Sequence, residues 1–349
     1  MKMSFRWYGS NDEVTLSNIR QIPNVSSIVS AVYDVRPGEV WDFESIMKLK
    51  KQIEDESMEF EVVESVPVHE DIKLGKPTRD EYINNYKENI LRLNKAGIKV
   101  ICYNFMPVFD WTRTQLDKIL DDKSTTLVYY PHQLEKMNPL TGELSLPGWD
   151  ASYTKESLKE VFNEYSNITE DDLWSNLEYF LNEIIPFAEK CNVKMAIHPD
   201  DPCWPIFGLP RIITCEENLD RLLKIVDSPS NGLTFCTGSL GVSSDNDILK
   251  MVDKYSKANR IHFLHLRNIK ITPDGGFEET AHMSKCGDID MVKVLSILHK
   301  NNFKGYIRPD HGRMIWGETG RPGYGLYDRA IGASYINGIW ETLSKKEEL

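Results

Sequence analysis

No stretch of the 349 residues is apolar over the roughly 20 positions that a membrane-crossing helix requires, which argues against a helical membrane protein. The first residues, MKMSFRWYGS, carry no apolar signal-peptide core, so a cytoplasmic location is expected. Positive charge is scarce. The net charge is −12, and because neutralising phosphates needs a basic face, a general nucleic-acid-binding role is not expected. An anionic small molecule can still be held in a local pocket of arginine and metal. Cysteine is thinly spread: there are six, none in a CxxC pair, and the default for a large cytosolic chain is six reduced thiols used in packing. Low-complexity sequence is absent apart from the charged tail KKEEL, and no 20–50 residue repeat exists beyond a strand–helix alternation.

Hydrophobic residues make up 41% of the chain, enough for a sizeable core. Eight runs rich in Val, Ile, Phe and Tyr have strand length: residues 4–9, 27–34, 59–66, 98–105, 193–199, 232–238, 260–267 and 304–310. Several are nearly continuous apolar stretches, as expected of strands buried on both faces. Between them lie segments with helical spacing of apolar residues, at 43–57, 79–96, 170–190, 216–227, 245–257 and 288–300. Strand–helix alternation repeated about eight times predicts a (β/α)8 TIM barrel formed as one domain over residues 1–349. The rival, a doubly wound open sheet, lacks a GxGxxG opening its first βα unit. One region breaks the rhythm. Residues 106–168 follow the fourth strand and hold Trp111, Tyr129, Tyr130, His132 and Trp149. A loop this long is usually functional or disordered, and its aromatics argue against disorder. It reads as a lid or a subunit contact, with a plain surface excursion as the bland alternative.

Four apolar runs of the second half each end in a metal-seeking side chain: MAIHPDDP at His198, LTFCTGS at Cys236, IHFLHLRN at His265 and YIRPDHGR at Asp310 and His311. Parallel strands alternating with helices bring their carboxyl ends to one face, which in a closed barrel carries the active site. Imidazole, thiolate and carboxylate groups from four consecutive strand ends therefore converge, and His198, Cys236, His265 and Asp310 are candidate metal ligands. The mixed-softness set admits zinc, iron(II) or manganese(II). A closed structural zinc site usually has more cysteine, so open positions for substrate and Lewis-acid chemistry are expected. Of the other histidines, His262 faces away from His265 on a regular strand, because three is an odd offset. His299 belongs to a helix surface, and His69, His132 and His282 lie in loops. A lone histidine is more often structural than a ligand, so the argument rests on the grouping.

Asp310 and His311 are adjacent and cannot point the same way on extended chain. If one binds metal, the other can serve as acid or base beside it, and histidine titrates near neutrality. The following loop, WGETGRPGYGLYDRAIG, occupies a region where barrels often bind anions. Tyr324, between Gly323 and Gly325, could present its hydroxyl there, and Arg313 and Arg321 could hold a carboxylate. The bland reading is a glycine-rich turn into the last helix.

The start MKMSFRWYG, the run IKVICYNFMPVFDWTRT, the segment IHPDDP and the tail RPDHGR followed by GRPGYGLYDRAIG resemble the mannonate dehydratase family. The resemblance runs from end to end, and IHPDDP with RPDHGR is not a generic barrel feature. It implies a xylose-isomerase-like TIM barrel that converts D-mannonate to 2-keto-3-deoxy-D-gluconate and water in hexuronate (glucuronate) catabolism. It also implies a Mn2+ or Fe2+ cofactor held by His198, Cys236, His265 and Asp310. The family's acid–base residues map onto His311 and Tyr324, with Tyr327 only three residues away as the alternative. The chemistry is consistent: the C2 hydrogen of a sugar acid is weakly acidic, and hydroxide leaves C3 only with a proton from a general acid.

Two rival functions remain at this point. One is a sugar isomerase or epimerase of the same fold, which would keep the substrate's water. The other is a non-enzymatic metal- or sugar-binding module, which has no need of an acid–base pair. Trp7, His69, Asn104 and Arg267 lie near carboxyl ends of strands and are candidates to grip distal hydroxyls, with packing or surface roles as the alternative. A homo-oligomer, as a dimer, is expected, with no nucleic-acid or membrane partner.

Overall fold

The computed structural model describes residues 1–140 and 155–346. The strands are β1 (Lys2–Arg6), β2 (Ser27–Ser30), β3 (Glu59–Glu64), β4 (Val100–Tyr103), β5 (Gln115–Ile119), β6 (Thr125–Tyr129), β7 (Lys194–Ile197), β8 (Asn231–Cys236), β9 (Ile261–Leu266), β10 (Ile269–Ile271), β11 (Phe277–Glu279) and β12 (Tyr306–Pro309). Eight of them close a barrel in the order β1-β12-β9-β8-β7-β4-β3-β2. All pairings around it are parallel. Each of the eight apolar runs of the sequence supplies one barrel strand.

Alternation along the strands divides the core in two. Val29, Val62, Val100, Cys102, Ala196 and Phe263 form one cluster inside the barrel, with Tyr306 packed against it. Their chain neighbours Ile28, Val63, Ile101, Ile197 and Leu264 belong to the larger core shared with the helices. Successive side chains of a strand point to opposite faces, so a buried strand must be apolar on both. The helices follow the predicted segments: Phe43–Asp55, Arg79–Lys95, Glu170–Lys190, Glu216–Ile225, Ile248–Lys257 and Met291–Lys300. Side-chain caps start several of them. Asp42 accepts a hydrogen bond from the Ser45 N–H, and Thr169 makes a reciprocal capping box with Asp172.

The long insertion carries structure that the sequence pattern does not announce. β5 and β6 form an antiparallel hairpin, and β10 and β11, from the loop after β9, complete a four-stranded sheet in the order β10-β11-β6-β5. Phe277 pairs with Tyr129 across 148 residues of chain. These strands are three to five residues long; β5 (QLDKI) is half-buried to exposed and β6 (TTLVY) is buried at four consecutive positions, so no period-2 apolar signal marks them. Residues 141–154, including the Trp149 singled out above, lie outside the described residues.

Candidate active site

The carboxyl ends of four neighbouring barrel strands meet as their order requires. His198 follows β7, Cys236 ends β8, His265 lies in β9, and Asp310 follows β12. Ligand atoms of His198, Cys236 and His265 all lie within 4.8 Å of one another, and this is the one such grouping of His, Cys, Asp or Glu among the described residues. Asp310 Oδ2 is 3.5 Å from Cys236 Sγ, and Oδ1 is 3.7 Å from His265 Nδ1. His198 Nδ1 sits 2.7 Å from the Pro199 carbonyl oxygen, which can only accept. The proton is therefore on Nδ1, and Nε2 keeps its lone pair. His265 Nε2 is buried and lies 3.3 Å from Glu64 Oε2. Two imidazoles, a thiol and a carboxylate gathered this closely form a donor set that fits a divalent transition metal.

Charge beneath this cluster is balanced by ion pairs inside the barrel. Glu64 receives Arg308 Nη2 at 3.0 Å and Nε at 3.1 Å, and lies 3.1 Å from Arg6 Nη1. Burial alone would raise its carboxyl pKa, but Arg308, Arg6 and His265 outweigh it and hold it well below the usual carboxylate range. Asp310 behaves alike: burial is overcome by Arg308, His311, His265 and Arg267, so it stays ionised. Arg308 Nη1 is 2.8 Å from Asp310 Oδ1, and Arg267 Nη1 is 3.0 Å from Oδ2.

His311 turns away from Asp310 along the chain, and its Nε2 lies 3.0 Å from the Tyr324 hydroxyl. The Trp111 ring packs 4.7 Å from the His311 ring, and Tyr8 meets Tyr324 edge-on at 4.8 Å. Tyr324 is placed by the glycine-rich loop. Gly323 has φ +81°, and a Cβ there would lie 2.6 Å from Leu127 Cδ1 and 3.5 Å from the His311 ring, so only glycine fits. Its carbonyl accepts the Gly312 N–H at 2.9 Å, which ties the two loops together. The buried Arg329 guanidinium donates to the carbonyls of Gly325 and Tyr324. Burial, with Tyr8 adding to it, pushes the Tyr324 phenol well above its ordinary pKa. Tyr327, the alternative, is exposed and packs on Trp316.

Several groups at the mouth were not singled out from sequence. Glu279 of β11 lies 2.9 Å from His311 Nδ1. Arg113 bridges Glu279 to Asp201, and Asp201 also binds Arg267 at 2.6 Å. Asp110 lines the cavity beside Trp111 and His198, and burial raises its pKa despite His198 nearby. Glu64 and Arg308 were findable. Each lies two residues from an inward-facing position, Val62 and Asp310, and so shares its side of the strand. Arg113 and Glu279 come from loops 166 residues apart, with no local signal.

The six substrate-binding candidates divide. Asn104 and Arg267 line the cavity. Arg267 is already committed to Asp201 and Asp310. Arg321 is exposed and stacks on Tyr8, a cavity wall, at 4.2 Å. Trp7 does not reach the cavity: Arg6 and Tyr8 face it, so the intervening Trp7 points outward into the helix-packed core. His69 is also turned away, because its Nδ1 caps helix Glu70–Lys73 and its ring stacks on Tyr82 at 3.6 Å. Arg313 is occupied by Asp328 and Asp122.

A closed parallel barrel with this donor cluster and a histidine–tyrosine pair at its carboxyl-terminal mouth defines a (β/α)8 enzyme. Comparison with known proteins narrows that class. A family model described as D-mannonate dehydratase (UxuA) matches residues 1–349. Mannonate dehydratase 2 of Halalkalibacterium halodurans is 56% identical over 344 residues, covering 99% of this chain and 100% of the relative. The mannonate dehydratase of Thermotoga maritima is 55% identical over 358 residues, covering 100% and 99%. The crystal structure of mannonate dehydratase from Streptococcus suis serotype 2 superposes with a TM-score of 0.93 at 50% identity, covering 99% of this chain and 96% of that one. The chain belongs to the D-mannonate dehydratase family and is a hydro-lyase. D-psicose 3-epimerase of Clostridium cellulolyticum, at 13% identity and a TM-score of 0.55, shares the barrel fold alone.

Proposed function

We propose that this chain removes water from D-mannonate to give 2-keto-3-deoxy-D-gluconate, with Mn2+ or Fe2+ held by His198, Cys236, His265 and Asp310. The observation that carries the reading is the 3.0 Å contact between His311 Nε2 and the Tyr324 hydroxyl, beside ligand atoms within 4.8 Å of one another. When bound, a divalent ion acts as a Lewis acid toward negative charge developing on substrate oxygens. His311 and Tyr324 share removal of the C2 proton and protonation of the departing C3 hydroxyl. Arg308, itself anchored by Glu64, and Arg267 keep the Asp310 carboxylate ionised and in place. Trp111 and Tyr8 pack against the pair and shield it from bulk water.

The reading extends to a cytoplasmic homodimer acting in hexuronate catabolism. No helix among the described residues is long and apolar enough to cross a membrane. Exposed Ile119 and Trp316, on and beside the excursion, suit a contact with a second copy. Turnover of D-mannonate and related sugar acids tests the reaction: activity should vanish in chelator and return with Mn2+. In D2O the label should enter at C3, because C2 becomes the ketone carbon. Return of an epimeric acid without loss of water would make the chain an epimerase. Full activity in metal-free protein would remove the ion from the reading.

A further inference from the structure

Glu279 lies buried at the end of β11, outside the barrel, yet it touches the reacting pair. Its carboxylate oxygens are 2.9 and 3.0 Å from His311 Nδ1. Arg113 grips one of them, Oε1, through Nη2 at 2.6 Å and Nε at 2.8 Å. Arg113 is clamped in turn by Asp201 at 2.8 and 3.0 Å. On the other side of the imidazole, Nε2 lies 3.0 Å from the Tyr324 hydroxyl. Carboxylate, imidazole and phenol thus form one continuous chain, and its first member is locked from behind.

Two other groups approach the ring. Arg267 Nη1 is 3.3 Å from Nδ1, but it has a shorter bond, 3.0 Å, to Asp310 Oδ2. Asp310 Oδ1 is 3.9 Å from Nε2, beyond hydrogen-bond reach. The shortest contacts of Nδ1 are to an ionised carboxylate, which can only accept. They require the ring proton to be on Nδ1.

We propose that Glu279 is a positioning residue that holds the His311 proton on Nδ1, making Nε2 the proton acceptor of the site and the Tyr324 hydroxyl its donor. This rests on His311 and Tyr324 being the acid–base pair. The C2–H bond breaks, its proton goes to Nε2, and its electron pair forms the C2–C3 double bond. The C3–O bond breaks, and the hydroxyl leaves as water with the Tyr324 proton. The imidazolium, stabilised by Glu279, then returns its Nε2 proton to the phenolate, which restores both groups. The enol goes on to the ketone by taking a solvent proton at C3 and releasing its hydroxyl proton. The raised phenol pKa agrees with a tyrosine that rests protonated.

The test reads the tautomer directly. In 15N-histidine-labelled protein, chelator-treated or loaded with diamagnetic Mg2+, the protonated and bare ring nitrogens are well separated by NMR. The His311 signal is identified by its loss in His311→Asn. Wild type should carry its proton on Nδ1 wherever the ring is neutral. Glu279→Gln leaves Oε1 to Arg113 and turns an amide N–H toward Nδ1, so the proton should move to Nε2. Its kcat should fall roughly 10²–10⁴-fold with KM little changed, the cost of a wrong tautomer beside a positioned base. A wild-type ring protonated on Nε2, alone or together with Nδ1 across the active pH range, overturns the proposal even if the variant does not fold. So does Glu279→Gln turning over at the wild-type rate. Full turnover by His311→Asn would instead remove the acid–base pair itself.

Discussion

Tyr324 illustrates how much chemistry a single side chain draws from its surroundings. Its hydroxyl reaches His311, and its main-chain carbonyl is held by the buried Arg329. The glycine before it admits the turn. Tyr324→Phe removes only the hydroxyl and leaves every one of these supports. Loss of one positioned acid–base group should lower kcat by on the order of 10²–10⁴. Because no proposed ligand is touched, stoichiometric binding of Mn2+ should persist. Kinetics on D-mannonate and metal analysis of the same sample check both halves. A fully active Tyr324→Phe would hand the proton to another donor such as a bound water.

Between elements, the mouth is stitched by buried ions. Asp201, from the loop after β7, joins Arg113 of the excursion to Arg267 at the end of β9. All three side chains are almost fully buried. Asp201→Asn leaves two buried guanidiniums short of charge, and breaking a buried pair this way costs about 3–5 kcal/mol. Denaturant unfolding measures it. The pH dependence has a definite sign. Burial alone would raise the Asp201 pKa, but Arg113 and Arg267 together depress it far below the ordinary carboxylate value. A depressed folded pKa contributes stability that is complete above the unfolded value of about 3.9. It erodes as pH falls below that and is gone once the folded value is passed. Glu279, also depressed, acts in the same direction. Wild type should therefore lose stability steeply below about pH 4, and Asp201→Asn less steeply, because its missing carboxyl no longer takes up a proton on unfolding.

For the whole molecule, the barrel interior is a packed floor on which the site stands. Phe263 is fully buried in it, and its ring meets that of His265 edge-on at 4.5 Å. Phe263→Ala should cost about 3–5 kcal/mol in denaturant unfolding, because a close-packed interior collapses only partly around a cavity. Val292→Ala, on the exposed face of helix Met291–Lys300, should change stability by less than about 0.5 kcal/mol. Equal effects of the two substitutions would mean that the interior is not close-packed.

What the chain determines by itself is what depends on local periodicity. Apolar runs of strand length, separated by helical patterns, dictated eight parallel strands and the helices around them. The position of each run's last polar residue then placed His198, Cys236, His265 and Asp310 at one end of the barrel. The short strands of the excursion sheet left no such trace, because at three to five residues each they are too short to show a period, and β6 pairs with β11, a partner distant in the chain. Side-chain partnership also depends on distance in space. Glu279 reaches His311 across 32 residues and Arg113 across 166. Trp7 and His69 sit beside strand ends yet point elsewhere, one by the alternation of the strand and the other by capping a helix. The sequence favoured Tyr324, between two glycines, with Tyr327 as the alternative; the folded loop, with Gly323 at positive φ and Arg329 behind it, turns Tyr324 inward and leaves Tyr327 in solvent.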